Sequence, residues 1–229
     1  MNRFPAPTGD RHLIDRGEGP AVLLLHGLGA SSSLWRNVLP ALAERMRVIV
    51  PDRRDRADSL DARQWAVEVR ELLGRLGVDE FAVVGQGVGG VVAQLLAIEG
   101  GVRCLILIDA GLVDPTGTNE PRGSEAIELD ALAVLDVPAL VLWGEDDPYL
   151  PVDRAERLAD AMPHGTLVLL PGCGHFLPEE APDAVATLIT EFLRARYLKI
   201  PHEHAHAAAH TSGRLRIELR PTPGTRGPT

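Results

Sequence analysis

Short apolar runs alternate along the chain with longer segments in which apolar residues recur at helical spacing. The runs are Ala21–His26, Arg47–Pro51, Phe81–Gly85, Arg103–Asp109, Pro138–Gly144 and Thr166–Pro171. Each has strand length, is rich in Val, Leu and Ile, and is bounded by Gly, Pro or Asp. Unbroken apolar runs suit parallel strands covered on both faces. Helical spacing occupies Leu34–Arg45, Leu60–Leu76, Val88–Ile98, Val152–Ala161 and Pro182–Arg196. This alternation predicts an α/β protein, with a mostly parallel sheet and helices on both faces joined by right-handed crossovers.

Two stretches break the alternation. Residues 112–135 open as a loop by composition, Val113-Asp114-Pro115-Thr116-Gly117-Thr118, and then offer one short helix, Ser124–Val134. They follow the carboxyl end of a predicted strand, where open α/β sheets bind ligands, so a reduced lid is expected there. After Tyr197 the composition shifts to Pro201-His202-Glu203-His204-Ala205-His206 and then to Pro, Gly and Thr. The division expected is a domain over 1–198 and a tail over 199–229. That tail is read first as a solvated extension. Its Arg214–Arg220 segment alternates apolar and charged residues, and so could add an edge strand to this chain or to a second copy, a route to a homo-oligomer. His202, His204, His206 and His210 lack a second ligand cluster, so no dedicated metal site is expected.

The chain has 229 residues and a mass of 24.6 kDa, with 45% hydrophobic and 24% charged residues. Such a balance excludes wholesale disorder and suits one ordinary domain. Two cysteines, Cys104 and Cys173, are too few for a disulfide framework. A net charge of −9 argues against nucleic-acid binding, and the arginines are scattered among acids instead of gathered into a phosphate-binding patch. The N-terminus lacks the apolar core of a secretory signal, and no eighteen apolar residues run together. A soluble, cytoplasmic protein without membrane contact is expected.

The candidate chemistry sits at carboxyl ends of predicted strands. Leu25-His26-Gly27-Leu28-Gly29 comes first, then Val84-Gly85-Gln86-Gly87-Val88-Gly89-Gly90 between a strand and a helix. Gly144-Glu145-Asp146-Asp147-Pro148 and Gly172-Cys173-Gly174-His175-Phe176 follow. In this order and context the four motifs resemble those of the α/β-hydrolase fold over roughly residues 11 to 196. The resemblance implies that Leu28 and Val88 supply the backbone amides of an oxyanion hole. It implies equally that Asp147 is the acid, that His175 is the histidine, and that His26, Gly27 and Gln86 line the site. No cofactor is implied, and the partner expected is a small-molecule substrate.

The sequence departs from that family where the nucleophile should stand. The middle position of its G-x-S-x-G elbow is Gly87, which has no side chain and cannot form a covalent intermediate. An elbow residue holds a strained backbone at a cost of about 1–3 kcal/mol, and glycine relieves that strain. What remains is an imidazole oriented by a carboxylate, able to activate water or to remove a substrate proton and drive lyase, isomerase or cyclase chemistry through an enolate. The expectation is therefore an atypical enzyme acting on a small carbonyl compound by non-covalent acid–base catalysis. The alternatives are an inactive binding or scaffolding protein on the same fold, and a Ser-to-Gly variant of a serine esterase.

Other residues carry plainer readings. Ser31, Ser32 and Ser33 are placed to cap the helix that follows. Cys173 reads as a small buried residue and Cys104 as core. Asp109 ends a strand facing the same crevice and is the second choice for the acid. Asp146, His12 and His164 read as surface residues. The string Pro51-Asp52-Arg53-Arg54-Asp55-Arg56-Ala57-Asp58-Ser59 stands where the family usually has glycines, and reads as a solvated charged loop.

Overall fold

The computed structural model describes residues 13–53, 61–111 and 129–198, together with the strand at 213–216. Eight strands form one sheet: β1 (Leu13–Arg16), β2 (Ala21–Leu25), β3 (Arg47–Pro51), β4 (Phe81–Gln86), β5 (Val102–Ile108), β6 (Ala139–Gly144), β7 (Gly165–Leu170) and β8 (Gly213–Arg216). They lie in the order β1-β3-β2-β4-β5-β6-β7-β8. Every pairing is parallel except β1 against β3. Among the described residues seven helices connect the strands: α1 (Leu39–Ala43), α2 (Ala62–Arg75), α3 (Val88–Glu99), α4 (Leu129–Leu132), α5 (Val152–Ala161), α6 (Leu177–Glu180) and α7 (Pro182–Arg196).

The period-two rule divides the core into two layers. On one face of the sheet Leu23, Leu25, Val83, Leu105, Leu107 and Val141 pack with Trp65 and Val69 of α2, Val92 and Leu96 of α3 and Leu158 of α5. On the other face Val22, Leu24, Val84, Ile106, Ile108 and Leu142 meet Leu42 of α1 and Val185, Ile189 and Leu193 of α7. Both layers are closed to solvent, which explains why the strands read as continuous apolar runs and not as alternating ones. The hydroxyl of Tyr197 donates to the carbonyl of Ala21 at 3.1 Å, tying the end of α7 to β2.

Three expectations change. The helix expected over Leu34–Arg45 splits into a 3-10 turn, Ser32–Trp35, and the short α1. Pro40 lies in the first turn of α1, where a missing N–H is harmless, so the helix begins just ahead of it. The strand β1, half-buried over most of its four residues, carries no apolar run and so gives no strand signal in the sequence. Arg47 holds it in place, donating to both carboxylate oxygens of Asp15 at 3.0 and 2.7 Å. In the tail, residues 213–216 are a strand running parallel to β7, so this part joins the sheet and is not a free extension. The rest of the tail, with its four histidines, lies outside the described residues. So do His12 and residues 112–128 of the expected lid, of which α4 is the described part. Among the described residues no helix is long and apolar enough to cross a membrane.

Candidate active site

The chain leaves β2 in one direction, to β3, and leaves β4 in the other, to β5. The crevice between β2 and β4 is thus the switch point at which open α/β sheets bind ligands. His26 to Gly29 follow β2 there, and Gly87 and Val88 follow β4.

Gly87 has φ 56° and ψ −122° and stands directly ahead of α3, a sharp strand-to-helix turn. Close approach shapes what surrounds it. A Cβ on Gly89 would fall 2.4 Å from the carbonyl oxygen of Leu25, so glycine there lets α3 settle against the end of β2. At Gly87 there is room instead. A Cβ would lie 3.4 Å from Cα of Gly27 and 3.7 Å from Nε2 of His175, both ordinary contacts.

His175 lies on the loop after β7. Its Nδ1 is 2.7 Å from Oδ2 of Asp147, and the Asp147 side chain is fully buried while the imidazole keeps 16% exposure. The other oxygen of Asp147 accepts from the backbone N–H groups of Tyr149 and Leu150, at 2.8 and 3.0 Å. That carboxylate is therefore fixed from both sides, and the ring it orients turns Nε2 toward the elbow. Tyr149 and Phe176 stand edge-on to the imidazole, each with its centroid 5.2 Å away.

The loop itself is braced. Glu180 accepts from the amides of Gly174 and Phe176, on either side of His175, at 2.6 and 2.9 Å. Gln86 donates from Nε2 to the carbonyl of His175 at 3.0 Å. Gln86 is fully buried, and its Oε1 has no hydrogen-bond partner among the described residues. A Cβ on Gly27 would strike that oxygen at 2.2 Å. Gln86 thus wedges between the His26–Gly27 loop and the His175 loop.

His26 is also buried. The backbone N–H of Arg53 donates to its Nε2 at 3.2 Å, so the ring proton sits on Nδ1, which donates to the carbonyl of Gly27 at 2.9 Å. Asp52 accepts from the amide of Ser32 at 2.5 Å. The first two charged residues of the string after β3 therefore brace the loop after β2, and only residues 54–59 of that string lie outside the described residues. Ser31 caps the 3-10 turn as expected. Leu28 is 42% exposed on the turn after β2, and Val88 opens α3.

Asp109 is closer to the dyad than a second choice would suggest. It follows β5 directly and has no exposure, and among the described residues it alone combines a side chain with positive φ, 42°. Its Oδ1 accepts from the amide of Gly144 at 2.9 Å, while Oδ2 is buried without a hydrogen-bond partner among the described residues. Burial, and then the nearby charges of Asp147 and Glu180, push its carboxyl well above the usual range. Asp109, Asp147 and His175 each offer an atom within 4.8 Å of the others. Asp147 and His175 are already joined by their own hydrogen bond, which makes the cluster a proton-handling group before it is a metal cage. Asp146 is exposed, and His164 pairs with Asp136, away from the site. Cys173 is buried, and burial raises its pKa, which disfavours the thiolate a nucleophile needs.

Two family models cover most of this architecture. One described as "alpha/beta hydrolase fold" matches residues 20–130, and one described as "Alpha/beta hydrolase family" matches residues 120–188. The chain belongs to the α/β-hydrolase fold superfamily. Among its relatives is 2-hydroxy-6-oxo-6-phenylhexa-2,4-dienoate hydrolase of Burkholderia cepacia, 27% identical over 80% of this chain and 90% of that one. Haloalkane dehalogenase 2 of Mycobacterium tuberculosis is 26% identical over 82% of this chain and 93% of its own. A solved thermophilic esterase from Thermogutta terrifontis superposes with a TM-score of 0.72 at 24% identity, covering 80% of this chain and 93% of that one.

Proposed function

We propose that this α/β hydrolase is an enzyme acting on a small carbonyl compound without a covalent intermediate. His175 is its general base and acid, Asp147 orients it, and the amides of Leu28 and Val88 hold the developing oxyanion. The observation that carries this reading is the direction of Nε2, which faces the elbow 3.7 Å from where a side chain on Gly87 would begin, while Nδ1 is fixed to Asp147.

In hydrolysis Nε2 takes a proton from water as the oxygen attacks the carbonyl carbon. The negative charge on the carbonyl oxygen is met by the two amides. Nε2 then returns the proton to the leaving group. General acid–base catalysis contributes about 10²- to 10⁴-fold. An oxyanion-hole donor contributes about 10²- to 10³-fold. The same base and amides would also support proton removal beside a carbonyl, with the enolate held where the oxyanion would be. A carbonyl substrate agrees with the name of the Burkholderia relative, whose substrate carries a 6-oxo group.

Two variants test the reading. Gly87→Ser should cleave simple aryl esters such as p-nitrophenyl acetate, and adding His175→Ala should abolish that cleavage while leaving the fold intact. Silence of a folded Gly87→Ser protein would instead favour a binding protein on a retired hydrolase scaffold.

A further inference from the structure

A connection from β7 to β8 within one chain differs in hand from the crossovers before it. The strands β4, β5, β6 and β7 follow one another across the sheet in one direction. Joining β4 to β5 and β6 to β7, α3 and α5 lie on the face that holds Leu23 and Leu105. On that same face α2 carries the chain in the same direction, from β3 to β4. In contrast, α1 carries it the opposite way, from β2 to β3, on the opposite face with Leu24 and Ile106. Reversing both direction and face preserves the hand, so these connections agree. The strand β8 continues in the direction of β4 to β7, yet α6 and α7, which precede it, lie on the face of α1. Parallel crossovers are right-handed in about 98% of cases, because a right-twisted strand feeding a helix packs back onto its sheet only that way. With the other connections right-handed, a crossover from β7 to β8 in one chain is left-handed.

Chain length does not impose that crossover. The end of α7 is tied to the start of β2 by the Tyr197–Ala21 hydrogen bond, and β2 is five strand spacings from β8, about 24 Å. Residues 199–212 can span at most about 50 Å, enough to reach β7 of this chain or of a neighbour. A strand supplied by a second copy makes the same pairs with β7, from Thr166 with Gly213 to Leu169 with Arg216, and involves no left-handed crossover.

We propose that β8 is exchanged between two copies of this chain, each copy's residues 213–216 completing the sheet of the other at the outer edge of β7. The exchange is reciprocal and therefore closes at a dimer. The received strand lies beside β7, which ends at Leu170 and leads into the loop carrying His175. The proposal rests on the topology of the sheet and is independent of the chemistry assigned to His175.

The test uses the full chain with one new cysteine, in two versions, Thr166→Cys and Gly213→Cys, at positions opposite one another in the register of β7 and β8. The native Cys104 and Cys173 are buried and are kept. The two versions are co-expressed and treated with a short bifunctional thiol reagent. The expected result is a species of twice the chain mass on a denaturing gel, formed only when both versions are present. Light scattering of the unaltered chain should give a dimer. A monomer overturns the proposal. So does a double variant, Thr166→Cys with Gly213→Cys, that links internally and stays at single chain mass, because β8 then pairs with its own β7. Linkage of Gly213→Cys to itself overturns it too, since two such strands then meet edge to edge. Absence of linkage in every version means that β8 is not held on any β7, and defeats the proposal equally.

Discussion

The side-chain amide of Gln86 donates to the backbone carbonyl of His175 across 3.0 Å, joining the residue before the elbow to the loop that carries the imidazole. The position of the dyad relative to Gly87 therefore depends on a buried polar strut as well as on the sheet.

Replacing Gln86 by Leu keeps the approximate volume and removes the donor, leaving the His175 carbonyl without that partner. A buried group deprived of its hydrogen bond costs about 1–3 kcal/mol. The expected outcome is a protein destabilised by about that amount in denaturant unfolding. In a Gly87→Ser background, esterase kcat should fall with KM little changed, because the loss is of alignment and not of substrate contact. A change confined to stability would show that Gln86 supports the fold without positioning His175.

Asp147 makes three hydrogen bonds through a fully buried carboxylate, one to His175 and two to backbone amides. Asp147→Asn preserves its shape but offers an amide where Nδ1 needs an acceptor. By analogy with serine hydrolases, where the equivalent change costs about 10⁴-fold in kcat, the Gly87→Ser, Asp147→Asn double variant should lose activity on that scale. Stopped-flow or long-incubation assays with an aryl ester would read it. Activity within about tenfold of the single Gly87→Ser variant would mean that Asp109 or another group orients the imidazole instead.

Much of this was legible in the sequence, for a physical reason. Strands covered on both faces have to be apolar throughout, so β2 to β7 announce themselves, and loops at their carboxyl ends can be read as candidate sites. His175 and Asp147 fall where the motifs place them and meet at 2.7 Å. The supports were harder to see. Gln86 reads as a pocket residue, but its burial and its bond to His175 depend on two loops 89 positions apart. Glu180 clasps the His175 loop from α6, a four-residue helix too short to show a period. The edge strands β1 and β8 are four residues each and are fixed by pairing with β3 and β7; the alternation at Arg214–Arg220 hints at β8 without saying which strand it joins, and β1 carries no such signal.

Asp109 gives the stability of this chain a pH dependence of definite sign. Its carboxyl is raised chiefly by burial, which outweighs the opposing hydrogen bond from the Gly144 amide; Asp147 and Glu180 raise it further, and the backbone of Leu177 lowers it least. In the unfolded chain an aspartate titrates near about 3.9. Between that value and the higher folded one, the folded state holds more protons, so stability falls as pH rises. The neutral carboxyl is accommodated in full below the unfolded value, and that advantage is lost as pH climbs through the folded one. Asp109→Asn should remove this slope. Its Oδ1 can still accept from the amide of Gly144. Thermal unfolding of the two proteins from about pH 4 to about pH 8 should therefore show Asp109→Asn gaining on the unaltered chain as pH rises. An offset that stays constant across that range would mean that Asp109 does not change its protonation on folding.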